Sequence, residues 1–264
     1  MTEQASPRAP YHQGAIRVPE ITAYFWIIKG LSTAMGESTS DYLVHRIHPV
    51  PAVLLGFVCF VGALVLQFSQ RRYVAWTYWL AVVMVGVFGT MAADVLHVGL
   101  GVPYAASTPL FAVTLLAVFV TWQRTEKTLS IHSVNTPRRE AFYWAAVVAT
   151  FALGTAAGDL TAYTLHFGYF FAGVLFAGLI TVPAIGYRWA HLNPILAFWS
   201  AYVLTRPLGA SLADWMGKPP IVSGLGWGAG PVSLGLTALI VCLVAYLGVT
   251  RRDVHTKPAT GVRS

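Results

Sequence analysis

Long apolar runs recur along the chain, each closed off by charges, prolines or glycine clusters. Eight of them lie at 21–44, 51–68, 74–96, 108–122, 141–165, 169–185, 195–216 and 231–249. A hydrocarbon core of roughly 30 Å takes about 20 residues of helix, so each run has the length of a membrane span or close to it. The pattern predicts an all-α integral membrane protein whose eight transmembrane helices form four tandem helical hairpins. The fourth run is the shortest, and Pro109 fits the first turn of its helix, where a missing N–H leaves nothing unpaired. Polar positions divide the chain into a tail (1–20), two hairpins (21–124), a linker (125–138), two more hairpins (139–250) and a second tail (251–264).

The odd-numbered runs share one finer pattern: an aromatic, Trp, nine residues, Gly, four residues, Asp. It reads Phe25-Trp26, Gly36, Asp41, and then Tyr78-Trp79, Gly89, Asp94. Tyr143-Trp144, Gly154, Asp159 and Phe198-Trp199, Gly209, Asp214 complete the set without a gap. Four copies at one spacing mark an internal repeat, which takes precedence over any local motif. The organisation resembles a family of bacterial multi-pass membrane proteins built from four tandem repeats of unknown function. Each of that family's repeats holds two membrane segments and a characteristic tryptophan. The resemblance runs from about Ile21 to Val249 and implies a bacterial inner-membrane protein, with no activity attached.

Fifteen helical residues rise about 22 Å, so each Trp and its Asp sit near opposite ends of a span. The tryptophans suit an interfacial belt or the filling of grooves between helices. The glycines, with small neighbours such as Ser38, Ala92, Ala156 and Ala210, suit close helix packing in lipid. Four such faces predict that the odd-numbered helices form an inner bundle, with the even ones packed outside it.

Composition agrees: 56% of the residues are apolar and only 10% charged, against about a quarter charged in soluble domains. This excludes a soluble enzyme, a disordered chain and a disulfide scaffold. The net charge of +7 does not indicate nucleic acid, because the cations lie in tails and short connections. Thirteen Lys and Arg, from Arg8 and Arg17 to Lys257 and Arg263, fall on one side, against Arg46 and Lys218 on the other. The positive-inside rule then puts both termini in the cytoplasm. The first twenty residues lack the apolar segment and cleavage site of a signal peptide. Cys59 and Cys242 each stand alone in an apolar run and read as inert core thiols.

Chemistry concentrates on the acids. An Asp within a span is costly and faces the unfavourable end of the helix dipole, so Asp41, Asp94, Asp159 and Asp214 call for a reason. If the repeats pack around an axis these carboxylates converge, together with Glu37 one turn below Asp41. A ring of acids selects cations, and carboxylates suit hard divalent ions. His45 and His97 stand at helical spacing from Asp41 and Asp94; with His48 and His166 they bring imidazole to the same side, which favours Mn²⁺ or a transition metal. The candidate metal set is thus Asp41, Asp94, Asp159, Asp214, Glu37, His45 and His97. Lys218, four residues after Asp214, breaks the symmetry of such a cage. The competing reading is structural: each Asp satisfies a helix junction or pairs with Lys29 or Arg206, the two cations inside spans. Arg206-Pro207 also predicts a kink or break in the seventh span.

No Walker-A loop, dinucleotide fingerprint or metalloprotease helix occurs, and no nucleophile stands out, so no enzyme and no cofactor are expected. The expected function is a gradient-driven cation transporter or channel, for Mn²⁺, Mg²⁺ or a transition metal. Its expected partners are membrane lipid and the metal cation, with a homo-oligomer open. The alternatives are a scaffold or sensor with structural aspartates, or a proton-coupled exporter.

Overall fold

A computed structural model describes residues 15–254; Arg8, Lys257 and Arg263 lie outside the described residues. Eight long helices account for the architecture: α1 (Ala23–Arg46), α2 (Pro49–Ser69), α3 (Ala75–Asp94), α4 (Tyr104–Glu126), α5 (Pro137–Asp159), α6 (Gly168–Trp189), α7 (Pro194–Gly217) and α8 (Ala229–Thr250). Their starts follow local rules. Thr22 and Thr136 accept hydrogen bonds from the backbone N–H groups of Phe25 and Arg139, and Asn193 caps Ile195 and Leu196. Pro49, Pro137 and Pro194 open α2, α5 and α7. The fourth helix is a full 23 residues, because it begins at Tyr104. Pro109 therefore sits inside it rather than in the first turn.

The odd helices form a closed inner ring in which α1 meets α3, α3 meets α5, α5 meets α7 and α7 returns to α1. Each even helix leans chiefly on the inner helix of the next repeat: α2 on α3, α4 on α5, α6 on α7 and α8 on α1. Hairpin neighbours in the chain are thus not the main packing neighbours in space, and α8 against α1 closes the circle. Six helices (α2 to α6 and α8) are long and apolar enough to cross a membrane. The other two, α1 and α7, carry Lys29, Glu37, Asp41, Arg206 and Asp214, and they turn those residues inward. The even helices leave large apolar side chains such as Val58, Val113, Val182 and Leu234 uncovered, a surface compatible with lipid in a multi-pass membrane protein. Cys59 and Cys242 are on this exposed surface, not in the core. Apolar even helices with thiols facing outward bury little against the protein.

The repeat glycines make the ring's joints. Gly36 lies against the backbone of Gly86, Gly89 against Phe151, Gly154 against Arg206 and Pro207, and Gly209 against Thr33 and Ala34. Each therefore touches the next inner helix, the fourth touching the first. A Cβ on Gly36 would come within 2.8 Å of the Gly86 carbonyl carbon, so the close approach excludes any side chain there. Trp79, Trp144 and Trp199 are buried and fill grooves between helices, while Trp26 is half-buried. Only Trp199 among the three buried repeat tryptophans donates its indole N–H, to the Leu129 carbonyl. That carbonyl belongs to the 125–138 connection, which docks on the bundle through buried Ile131 and Val134.

Candidate functional site

Four-residue steps up the inner helices define five layers. Phe25, Tyr78, Tyr143 and Phe198 form the layer nearest the termini. Lys29, Val82, Val147 and Tyr202 follow, then Thr33, Gly86, Phe151 and Arg206, then Glu37, Thr90, Thr155 and Ala210. Asp41, Asp94, Asp159 and Asp214 make the last. Because the inner helices run parallel, equivalent residues stand at one height.

The first layer is an aromatic plug. The Tyr78 and Tyr143 hydroxyls are 2.5 Å apart, Phe25 and Phe198 have ring centroids 6.0 Å apart, and Trp79, Trp144 and Trp199 pack edge-on around them. Such ring pairs add to simple burial.

The asymmetric residues fill the middle. Arg206, wholly buried, extends over the space that Ala210 leaves in the layer above. Its Nη2 donates to Glu37 Oε2 at 2.6 Å and to Thr155 Oγ1 at 2.8 Å, and also bonds Thr90. The Thr90 and Thr155 hydroxyls donate to their own helices' carbonyls at Gly86 and Phe151, which leaves their lone pairs free for the guanidinium. Nη1 reaches the Thr33 carbonyl at 3.3 Å, so one side chain from α7 ties α1, α3 and α5 together. Glu37, 5% exposed, is thereby a structural counter-ion rather than a free member of the acid ring.

Lys29 departs from expectation. It pairs with no Asp, nor with Glu37 two turns along its own helix, towards which the spacing would let it reach; its Nζ has no hydrogen-bond partner and lies 4.2 Å from the Phe151 ring centroid and 4.3 Å from that of Tyr202. Arg206 takes Glu37, and two aromatic faces provide the attraction that Lys29 has. Nor does α7 break at Pro207, since it stays helical from Pro194 to Gly217. The irregularities occur instead in α3 and α5, where single π-turns (Val95–Gly99 and Leu160–Thr164) follow Asp94 and Asp159 directly. Such turns are frequent at functional sites, and the sequence carries no signal for them.

The four aspartates stand at equivalent positions on the four inner helices. Asp94 interacts electrostatically with Glu37, Asp41 and Asp159, and Asp214 with Glu37, Asp41 and Asp159. Lys218 is the cation among them: its Nζ pairs with Asp41 and lies 3.7 Å from Asp214. Burial disfavours the ammonium, but Asp214 and Asp41 outweigh that and hold its pKa above the usual lysine value. Asp94 and Asp159 enter no ion pair among the described residues. The glycine-rich loop that follows Lys218 fixes its backbone. Gly226 N–H donates to the Lys218 carbonyl at 2.8 Å, and a Cβ on Gly224 would overlap that same carbonyl. Gly226 and Gly228 take the left-handed φ values of 76° and 85° that the loop requires. A cavity of about 550 Å³ opens at this end, lined by Ser38, Asp41, Tyr42, His45, Asp214 and Lys218 among others.

Of the histidines, His45 shares the cavity wall with Asp41 and Asp214, and His97 is not part of that lining. His45 Nδ1 meets the Asp41 backbone carbonyl at 2.6 Å, and His97 bonds Ser107 at 2.5 Å and packs on Tyr104. Among the described residues no group of three or more His, Cys, Asp or Glu is arranged to hold a metal ion. The set of Asp41, Asp94, Asp159, Asp214, Glu37, His45 and His97 is an electrostatic cluster with His45 on the cavity wall and His97 outside its lining, not a preformed cage.

Comparison with protein families matches residues 24–73, 77–128, 142–192 and 197–253 to a Repeat of Unknown Function (DUF347). The chain belongs to this family. Each DUF347 unit covers one inner and one outer helix, so the matched boundaries coincide with the steps of the ring. No curated protein and no solved structure matches the chain.

Proposed function

We propose that this DUF347 protein is a gradient-driven transporter or channel for cations, held in a bacterial inner membrane with both termini cytoplasmic. One observation carries the reading: four aspartates from four parallel helices share a single electrostatic cluster with one lysine. With all four ionised, that cluster holds more negative charge than Lys218 offsets, so it draws cations or protons from the adjoining water. The excess of Lys and Arg at the opposite end supports the sidedness. The aromatic plug and the Arg206 tie belong, on this reading, to a form closed at the cytoplasmic side and open at the aspartate side. Cargo as a divalent metal such as Mn²⁺ or Mg²⁺ is the narrower version, and it requires the carboxylates to draw closer around the ion than they stand now.

Flux into proteoliposomes tests it, with a panel of Mn²⁺, Mg²⁺, K⁺ and methylammonium against wild type and an Asp94→Asn plus Asp159→Asn double variant. The variant should lose at least about tenfold in flux, roughly 1.4 kcal/mol of barrier. Its melting temperature should hold or rise, because two like charges leave a crowded site. A wild type that moves no member of the panel, or a variant that loses stability in step with flux, overturns the proposal in favour of a scaffold.

A further inference from the structure

The cavity at the aspartate end is occupied in part by a piece of its own chain. Lys218 leaves the end of α7 on a backbone clamped by Gly224 and Gly226, and its ammonium bridges Asp41 of α1 towards Asp214 of α7. An ammonium has three N–H donors to place. Lys218 spends one on Asp41, and Asp214 at 3.7 Å is too far for a true hydrogen bond. Meanwhile Ser38, 3% exposed and lining the same cavity, has an Oγ with no hydrogen-bond partner. The site therefore offers two acceptor groups, Asp214 and Ser38, beyond the one the tethered lysine satisfies.

Resting on the cation reading above, we infer that this cavity is a binding site for small solutes bearing a primary ammonium group, whose place Lys218 takes when the site is empty. The acceptors are two carboxylates and a hydroxyl on two helices, with the Tyr42 ring on the wall. This set matches three N–H donors on one nitrogen, whereas a hard divalent ion would need several waters to complete its shell there. The volume of about 550 Å³ lies within the range of small-molecule sites. Because Asp214 and Asp41 keep Lys218 charged above the ordinary lysine range, raising the pH does not release it. Competition by another ammonium does.

The test is calorimetric binding to the purified full chain in detergent, with methylammonium and 1,4-diaminobutane as probes and MnCl₂ and MgCl₂ at matched ionic strength as controls. Lys218→Met should bind methylammonium at least about tenfold more tightly than wild type. Asp41→Asn placed in the same variant should abolish the gain. Equal affinity in Lys218→Met and wild type, or a Lys218→Met variant that prefers Mn²⁺, overturns the inference. Should Lys218→Met fail to fold, Ser38→Ala in the native chain decides. It should weaken 1,4-diaminobutane binding with an unchanged melting temperature, and unchanged affinity overturns the inference. Amine binding without flux of any cation supports this site while defeating the transport reading; flux without amine binding does the reverse.

Discussion

Two buried cations one layer apart have opposite surroundings, and substitutions should separate them. Arg206 has a carboxylate, two hydroxyls and a carbonyl; Lys29 has only ring faces. Removing one partner of a buried ion pair leaves the other uncompensated, at about 3–5 kcal/mol. Arg206→Met should cost that much, and Glu37→Gln added to it should return most of the loss, a non-additivity readable by a double-mutant cycle on thermal or denaturant unfolding. Lys29→Met, similar in volume and free of an unsatisfied ammonium, should cost less than about 1 kcal/mol or stabilise. Equal losses in the two single variants would show that Lys29 is paired after all. Neither environment is legible in the sequence. Lys29 lies two turns before Glu37 on the same helix and could reach towards it, yet Arg206 of the adjoining inner helix takes the carboxylate. The Lys218–Asp41 pair, 177 positions apart, was hidden for the same reason. Charges inside spans announce that a partner exists and not which one.

At the level of helices, the small-residue faces carry the architecture, and their glycines are unequal. Gly36 and Gly209 meet neighbouring backbone, whereas Gly62 on an outer helix has nothing within 4 Å of an added Cβ. Gly36→Ala and Gly209→Ala should each destabilise by about 1–3 kcal/mol, as overpacking does. Gly62→Ala should be neutral or gain up to about 1 kcal/mol in helix propensity. Melting the three variants in one detergent checks the ordering, and a Gly36→Ala variant as stable as Gly62→Ala would refute the ring joints. These joints were readable in advance, because a glycine fixed at one spacing in four copies, beside Ser, Ala and Thr, has few uses in a span but close packing. What could not be read was which helix each glycine faces. The hairpin pattern puts α1 beside α2, yet Gly36 faces α3. The π-turns after Asp94 and Asp159 were equally silent, since no proline or glycine marks their starts.

For the molecule as a whole, fourfold repetition becomes a closed ring only where its two ends meet, and the ends meet through buried polar contacts. The Glu20 N–H donates to the Asp253 carbonyl at 2.9 Å, and the Tyr73 hydroxyl bonds the Asp253 carboxylate. Nearby, Arg17 pairs with buried Glu140 at 2.7 Å, and the Arg17 N–H donates to the Val134 carbonyl, so the first described segment laces the 125–138 connection and α5 to the segment after α8. Asp253 is 1% exposed, and its Oδ1 has no donor. Burial raises its pKa above the usual carboxylate value, although Tyr73 and the backbone pull the other way. A raised folded pKa means that the protonated form is favoured in the fold. The stabilisation is therefore present below about pH 4, the unfolded carboxylate value, and is lost as pH rises through the folded one. Asp253→Asn keeps an oxygen for Tyr73 and removes the ionisation. Its melting temperature should match wild type at low pH, exceed it increasingly as pH rises above about 4, and hold a constant lead once the folded carboxyl has ionised. A wild type that gains on the variant as pH rises would mean that the carboxylate is stabilised as an anion, and that the clasp between the ends is an ion pair instead of a neutral hydrogen bond.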